Sequence, residues 1–271
     1  VFRIMVDRAL DLGTLEYRGA AIGWQSATGF RHPGLHETSG EGGLSWLRSF
    51  SGFLATCGLD HAFGAAVDDS DPYDYPARKR IEYGLHGRVA YLPGTLDGYG
   101  ARWEGDRCFL WCEGTVVQAA MFAENLALKR RWEVEVGTSR ITLADRVTNR
   151  GFRTTPHMML YHVNLGWPLL DEGARFVAPI RAVHDVSHAD RYRRQDAGYR
   201  TVPAPQPRFV EQVWDYDTVP DAQGRGVYAL VNDRFDGGRG LGLVVEADHA
   251  TLPHLTQWQA YEEGVYAMGI E

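Results

Sequence analysis

Alternation of apolar and charged residues constrains the fold of this chain more than any other feature of its sequence. In LALKRRWEVEV, residues 126–136, Leu126, Leu128, Trp132, Val134 and Val136 alternate with Lys129, Arg131, Glu133 and Glu135. Successive side chains of a β-strand point to opposite faces, so this pattern predicts a strand with one buried face and one face in water. Residues 139–149 repeat the pattern, and residues 226–233 and 239–247 are short and rich in β-branched side chains. Together these segments predict antiparallel sheets.

Helical signals are few. Residues 43–55, GLSWLRSFSGFLA, carry Leu44, Leu47 and Phe50 at helix-like spacing, but the glycines in this segment argue against a long helix. The proline-rich segment 201–209 predicts a loop or a sheet edge, because strand-like sequence resumes directly after it. We therefore expect one all-β domain over residues 1–271, an antiparallel two-sheet sandwich with far less helix than the usual third or so.

Charge and hydropathy argue against two classes of partner. The net charge of −7 argues against nucleic-acid binding, because phosphates are neutralised by clustered Lys and Arg. The densest basic cluster is interleaved with Asp190 and Asp196, and we interpret it as a solvated loop; it consists of Arg191, Arg193, Arg194 and Arg200. No run of 18 apolar residues is present, so we expect no membrane-spanning segment.

Cysteines and aromatic residues are less decisive. Of the three cysteines, Cys108 and Cys112 fall on one face of a predicted strand, too far apart to form a disulfide. A reduced, cytoplasmic protein is the simplest interpretation. The eight Trp, thirteen Tyr and eleven Phe suit a site that stacks rings on a sugar, and they suit a large β-core equally well.

Ten histidines raise the possibility of a metal site. Three groups have short spacings: His184 with His188, His249 with His254, and His32 with His36 and Glu37. The first lacks helical patterning and a third ligand, the second contains a proline, and the third lies in a glycine-rich loop. We therefore predict surface or hydrogen-bonded roles for these histidines, and neither a metal nor another cofactor.

Two segments place polar residues where chemistry is possible. In LYHVNLGWPLLDEG, residues 160–173, His162 and Asn164 lie two apart in an apolar run, so a strand would place both side chains on one face. In EYGLHGRVAYLPG, residues 82–94, His86 precedes Gly87 and would share a face with Arg88 in the strand expected to follow. Glycine there would let another molecule approach the backbone closely. The structural alternatives are a capped turn at His86 and a buried His–Asn pair that satisfies backbone groups.

The segments LHGRVAYLPG, LYHVNLGWPLLDEG and GVYAMGIE occur in the order that is typical of the galactose mutarotase-like (aldose 1-epimerase-like) superfamily. IGWQSATG, GFLATCGLDHAFG and PLLDEG resemble a largely uncharacterised bacterial branch of it, and the resemblance spans nearly the whole chain. It implies a β-supersandwich in which His86 holds a sugar, His162 is the general acid and Glu271 is the general base. The match is partial after His162, where Val-Asn-Leu replaces the usual Ser/Thr-Tyr-Phe-Asn run.

The resemblance also suggests supporting sugar contacts. By its order in the chain, Glu211 could take the place of the sugar-binding aspartate of the superfamily, and Asp60 and His61 fall where that superfamily has polar contacts. Near the end of the chain, alternation places Glu271 in line with the small side chains of Ala267 and Gly269, which leaves room for a ligand. Terminal residues usually fray, so we expect the natural chain to continue past Glu271 and to be truncated here at one or both ends.

The resemblance therefore predicts an enzyme that interconverts sugar anomers or epimers by acid–base ring opening, with a small-molecule sugar as its partner. The alternatives are a non-catalytic carbohydrate-binding protein on the same scaffold and a metal-dependent sugar isomerase. The enzyme should place His162 and Glu271 across a pocket at the width of a sugar. The metal-dependent alternative requires three ligands that converge on one point.

Overall fold

Strands dominate the computed structural model, which describes residues 1–76, 78–187 and 198–271. Strands make up 48% of the structure and helices 8%, so the prediction of an all-β fold is confirmed. The first nine strands are β1 (Phe2–Met5), β2 (Asp11–Tyr17), β3 (Ala20–Ala21), β4 (Leu54–Leu59), β5 (Ala66–Asp69), β6 (Arg80–Tyr83), β7 (Gly94–Glu104), β8 (Arg107–Ala119) and β9 (Asn125–Glu135). The next nine are β10 (Ile141–Asn149), β11 (Met158–Leu165), β12 (Arg175–Val177), β13 (Ile180–Asp185), β14 (Gln212–Thr218), β15 (Arg225–Asn232), β16 (Leu241–Asp248), β17 (Leu255–Ala260) and β18 (Ala267–Ile270).

Two large antiparallel sheets organise the molecule. One has four strands in the order β10-β9-β8-β7, and the other has six in the order β13-β14-β17-β18-β11-β4. Smaller sheets, β1-β2-β3, β12-β15-β16 and β5-β6, accompany them. The alternating segment 126–136 coincides with β9, and three further predicted strands are β10, β15 and β16. The alternation was informative because each of these strands has one face packed against the interior of the protein.

Helical structure is short, as expected. The one α-helical turn described is Phe235–Gly238, and the 3₁₀-helices described are Pro33–Leu35, Gly40–Gly43, Ser45–Arg48, Asp71–Tyr73 and Val89–Tyr91. The segment 43–55 forms a 3₁₀ turn and then enters β4, so it is not a long helix. Among the described residues, no helix is both long and apolar enough to cross a membrane. The basic cluster at Arg191, Arg193 and Arg194 lies outside the described residues.

A buried ionic network joins the two large sheets. Arg130 on β9 is fully buried, and its guanidinium donates hydrogen bonds to the carboxylates of Asp11 and Asp145 and to Thr56 Oγ1, the last at 2.8 Å. Tyr161 donates to Asp145 at 2.8 Å. Thr56 on β4 and Tyr161 on β11 are paired in the sheet register. The network therefore fixes the strand that carries His162 against the strands on either side of the core.

Candidate active site

Sheet register brings His162 and Glu271 together. β11 lies between β4 and β18, and Asn164 on β11 pairs with Gly269 on β18. Glu271 follows directly after β18, and its backbone exchanges hydrogen bonds with Thr256 on β17 at 2.8 and 2.9 Å. Extending the register by two residues places Glu271 beside His162. Side chains directly opposite each other in an antiparallel pair share a face, so both project to the same side.

The two side chains are in direct contact. His162 Nε2 and Glu271 Oε1 are 3.1 Å apart, and the two side chains are only 3% and 5% exposed. The expected separation by the width of a sugar was therefore wrong, because neighbouring strands are closer than that. Gly269 makes the contact possible, since a Cβ atom there would lie 2.7 Å from Glu271 Oε1 and 2.9 Å from His162 Cε1.

Burial sets the protonation of this pair. It raises the pKa of the Glu271 carboxyl group to about 8, and the negative charges of Asp215 and Glu211 add to the effect. Burial also lowers the pKa of His162 well below its usual value, and nearby His86 lowers it further. Both shifts favour the uncharged forms. The pair therefore holds one proton at neutral pH, mainly as a carboxylic acid next to a neutral imidazole.

Aromatic rings enclose His162. The centroid of its ring lies 4.9 Å from that of Phe50, 5.4 Å from His86, 5.5 Å from Trp258 and 6.0 Å from Trp46. Trp46 and Phe50 are buried, whereas His86 and Trp258 are partly exposed. Sequence reasoning missed Trp46, Phe50 and Trp258. The aromatic spacing in the segment 43–55 was a usable signal for the first two.

His86 occupies a strained turn, not the approach to a strand. Its φ is +58°, that of Gly87 is +72°, and its Nδ1 donates to the carbonyl of Ala62 at 2.8 Å. A Cβ atom at Gly87 would lie 2.2 Å from the carbonyl oxygen of His61 and 2.4 Å from that of Gly58. A glycine is needed here because the backbone of the same chain packs directly against Gly87. The prediction that Gly87 lets another molecule approach the backbone was therefore wrong.

Arg88 does not share a strand face with His86, because a turn and a 3₁₀-helix follow β6 here. Arg88 Nε lies 3.8 Å from Asp60 Oδ2, and its Nη2 donates to the carbonyl of Glu82 at 3.2 Å. His61 Nε2 contacts the carbonyl of Gly64 at 2.6 Å, and its ring stacks on Tyr83 at 4.7 Å. These contacts of Arg88, Asp60 and His61 stabilise the loops that hold His86.

Asn164 lies two residues from His162 on the same face of β11. It is fully buried, and its Nδ2 donates to the carbonyls of Gly52 at 2.9 Å and of His162 at 3.1 Å. The buried atoms His162 Nδ1 and Asn164 Oδ1 make no hydrogen bond of ordinary geometry with the described residues. Asn164 nevertheless counteracts the lowering of the His162 pKa. The structural alternative, a buried His–Asn pair that satisfies backbone groups, therefore describes the hydrogen bonds that the Asn164 side chain donates.

Glu211 lies at the exposed edge of the site. Its Oε2 accepts a hydrogen bond from Trp258 Nε1 at 2.9 Å, and the ring of Trp258 in turn meets His162 edge to face. Glu211 thereby fixes one wall of the site and adds negative charge near Glu271. Its role as a direct sugar contact stays a prediction.

The histidine groups considered as metal ligands are dispersed. In the part of the chain that the structure describes, no three His, Cys, Asp or Glu side chains converge as a metal site. His188 lies outside the described residues. Four of the other histidines have separate partners: His184 lies 3.6 Å from Asp217, His249 lies 3.3 Å from Thr218, the ring of His36 packs against Tyr91 at 3.9 Å, and His32 caps a 3₁₀-helix at Gly34.

Comparison with solved structures confirms the predicted resemblance at the level of the fold. A protein from Klebsiella pneumoniae subsp. pneumoniae, provisionally assigned as an aldose 1-epimerase, superposes with a TM-score of 0.86 at 24% identity, over 99% of this chain and 66% of that one. A galactose mutarotase-like protein from Clostridium acetobutylicum superposes with a TM-score of 0.51 at 11% identity, over 99% of this chain and 80% of that one. This chain thus spans 66% of the length of the Klebsiella protein.

Comparison of sequences places the chain in a family. No curated protein sequence matches it. The model of one family, described as Domain of unknown function (DUF4432), matches residues 1–271. Because that match runs through the whole sequence, this chain with a mutarotase-like fold belongs to the DUF4432 family.

Proposed function

We propose that this protein interconverts the anomers of a small sugar by acid–base ring opening at the His162–Glu271 pair. The observation that carries the proposal is the 3.1 Å contact between an imidazole and a carboxyl group, buried together among aromatic rings. Ring opening moves one proton from the anomeric hydroxyl to the ring oxygen. These two oxygens are bonded to the same carbon atom, so a donor and an acceptor in mutual contact reach both from one side of the sugar.

The proton count of the pair fits this reaction. Moving the shared proton along the hydrogen bond converts the carboxylic acid and neutral imidazole into a carboxylate and an imidazolium. The Glu271 carboxylate then accepts the anomeric proton, His162 donates its Nε2 proton to the ring oxygen, and the bond between C1 and the ring oxygen breaks. The pair again holds one proton. Rotation about the bond from C1 to C2 and the reverse transfers close the ring as the other anomer.

The surrounding rings suit a sugar. Trp258 and His86 are the partly exposed rings next to His162, so a sugar would enter past them to reach the His162–Glu271 pair. An aromatic face packs against the apolar face of a pyranose, and it also excludes water from the proton transfers. His86 would contact the sugar through Nε2, because its Nδ1 is bound to Ala62.

The experiment is an NMR exchange measurement of anomer interconversion over a panel of aldoses, ketoses and sugar acids, with a chelator present. We expect faster interconversion for at least one sugar, and unchanged rates in the control His254→Ala, whose histidine is exposed. A sugar that binds without faster interconversion would indicate the carbohydrate-binding alternative. Activity that a chelator abolishes and a metal restores would indicate the metal-dependent isomerase.

A further inference from the structure

A row of polar residues crosses the six-stranded sheet and ends at the pair. In register, Asp215 on β14 lies opposite Thr256 on β17. Thr256 in turn exchanges backbone hydrogen bonds with Glu271, which contacts His162. Residues opposite each other across antiparallel strands share a face, so Asp215, Thr256, Glu271 and His162 form one row on one side of the sheet.

Asp215 is held in place within this row. Thr256 Oγ1 donates a hydrogen bond to Asp215 Oδ1 at 2.6 Å, and both residues are only partly exposed. Asp215 therefore stands two strands from Glu271 as an oriented, partly desolvated negative charge.

We propose that Asp215 is a positioning residue for Glu271: held by Thr256, its carboxylate keeps negative charge two strands from the buried acid of the pair. Its kinetic consequence rests on the proposed function, but its effect on the proton of Glu271 does not. Negative charge nearby makes a carboxyl group hold its proton more tightly, so the one-proton form of the pair persists to higher pH.

Several other titratable groups surround Glu271 and contribute to the electrostatic environment of its carboxyl group. They are His162 on β11 with His86 beyond it, Glu211 directly before β14, and Cys57 on β4. Asp217 is also on β14 and on the same face as Asp215, but it is farther along the strand; its carboxylate lies 3.6 Å from His184, the residue on β13 that is opposite Asp215 in register. Asp217 therefore lies outside the row and serves as the control carboxylate on the same strand.

The test follows the carboxyl group of Glu271 directly, by ¹³C NMR or infrared titration, with Glu271→Gln identifying its signal. In Asp215→Asn we expect the titration midpoint of the Glu271 carboxyl group to fall by up to about one pH unit. This is the effect of removing one charge that lies two strand spacings away in a medium of intermediate dielectric. Asp215→Glu should restore most of the midpoint, because it restores the charge. Asp217→Asn should leave it within a few tenths of a unit.

Kinetics add a second measurement. If the enzyme is active, the alkaline limb of its pH–rate profile should move to lower pH in Asp215→Asn by the same amount, with KM little changed. If no sugar is interconverted, the proposed function fails but the titration still decides on Asp215. A midpoint that is unchanged in Asp215→Asn, or that moves equally in Asp217→Asn, overturns the proposal, provided that circular dichroism shows each variant folded.

Discussion

At the scale of single residues, the proposed reaction depends on one proton shared by His162 and Glu271. Their shifted pKa values have the same origin, since burial penalises the charged form of each. The two groups titrate as a coupled pair, so the relevant quantity is the number of protons on the pair. We propose that the form with one proton is the active one.

The pH dependence of the reaction follows from this proton count. The pKa of Glu271 is raised to about 8, so the pair loses its proton, and the rate falls, as the pH rises through that value. The pKa of His162 is lowered, so a second proton is added only in acid, where the rate falls again. We expect kcat/KM to be bell-shaped with a plateau around neutrality. A value of kcat/KM that still rises above pH 8 would contradict the shared-proton mechanism.

Gly269 is the residue whose substitution tests the contact most selectively. In Gly269→Ala, the new Cβ atom would lie within 3 Å of both Glu271 and His162, so the side chains must separate. We expect a large fall in kcat and a stability cost of about 1–3 kcal/mol, measured by kinetics and by urea unfolding. The control is Gly242→Ala on β16, where the nearest atom is an ordinary 3.5 Å away. Equal kcat in the two variants would show that the contact is not needed.

At the scale of elements, the sequence predicted strands well and turns poorly. Period-two alternation identified β9 and β10 because one face of each packs inward. In the segment 43–55 the helix-like spacing rested on Leu44, Leu47 and Phe50, but Leu44 and Leu47 are 46% and 53% exposed. The buried aromatic residues there are Trp46, Phe50 and Phe53. His86 was placed next to a strand because nothing local in the sequence reveals a backbone turn with positive φ at a non-glycine residue.

The element that carries His162 depends on Arg130. Removing this cation would leave the carboxylates of Asp11 and Asp145 buried without a partner charge. We expect Arg130→Met to lower the free energy of unfolding by about 3–5 kcal/mol, measured by urea denaturation. Arg131→Met, which removes the ion pairs of a partly exposed neighbour, should cost about 1 kcal/mol or less. Equal losses in both variants would refute the structural role given to Arg130.

At the scale of the whole molecule, the fold was predictable because it follows from many repeated alternations and from motifs in a fixed order. Of the site, His162 and Glu271 were predictable only through the resemblance, since 109 positions separate them in the sequence. Their direct contact could be recognised only from the register of β11 with β18 in the structure. The walls come from three separate segments, and no local pattern connects Trp46 with Trp258. The assignment of residues 1–271 to one domain stays a prediction.

The shared-proton mechanism is tested most directly by the rate of anomer exchange with Glu271→Gln beside the wild type, measured by NMR at saturating sugar. Glutamine keeps the size of the side chain but cannot exchange a proton with His162 or the sugar. The mechanism predicts exchange slowed by about 10²- to 10⁴-fold, with sugar binding retained. Exchange at the wild-type rate in Glu271→Gln would contradict it.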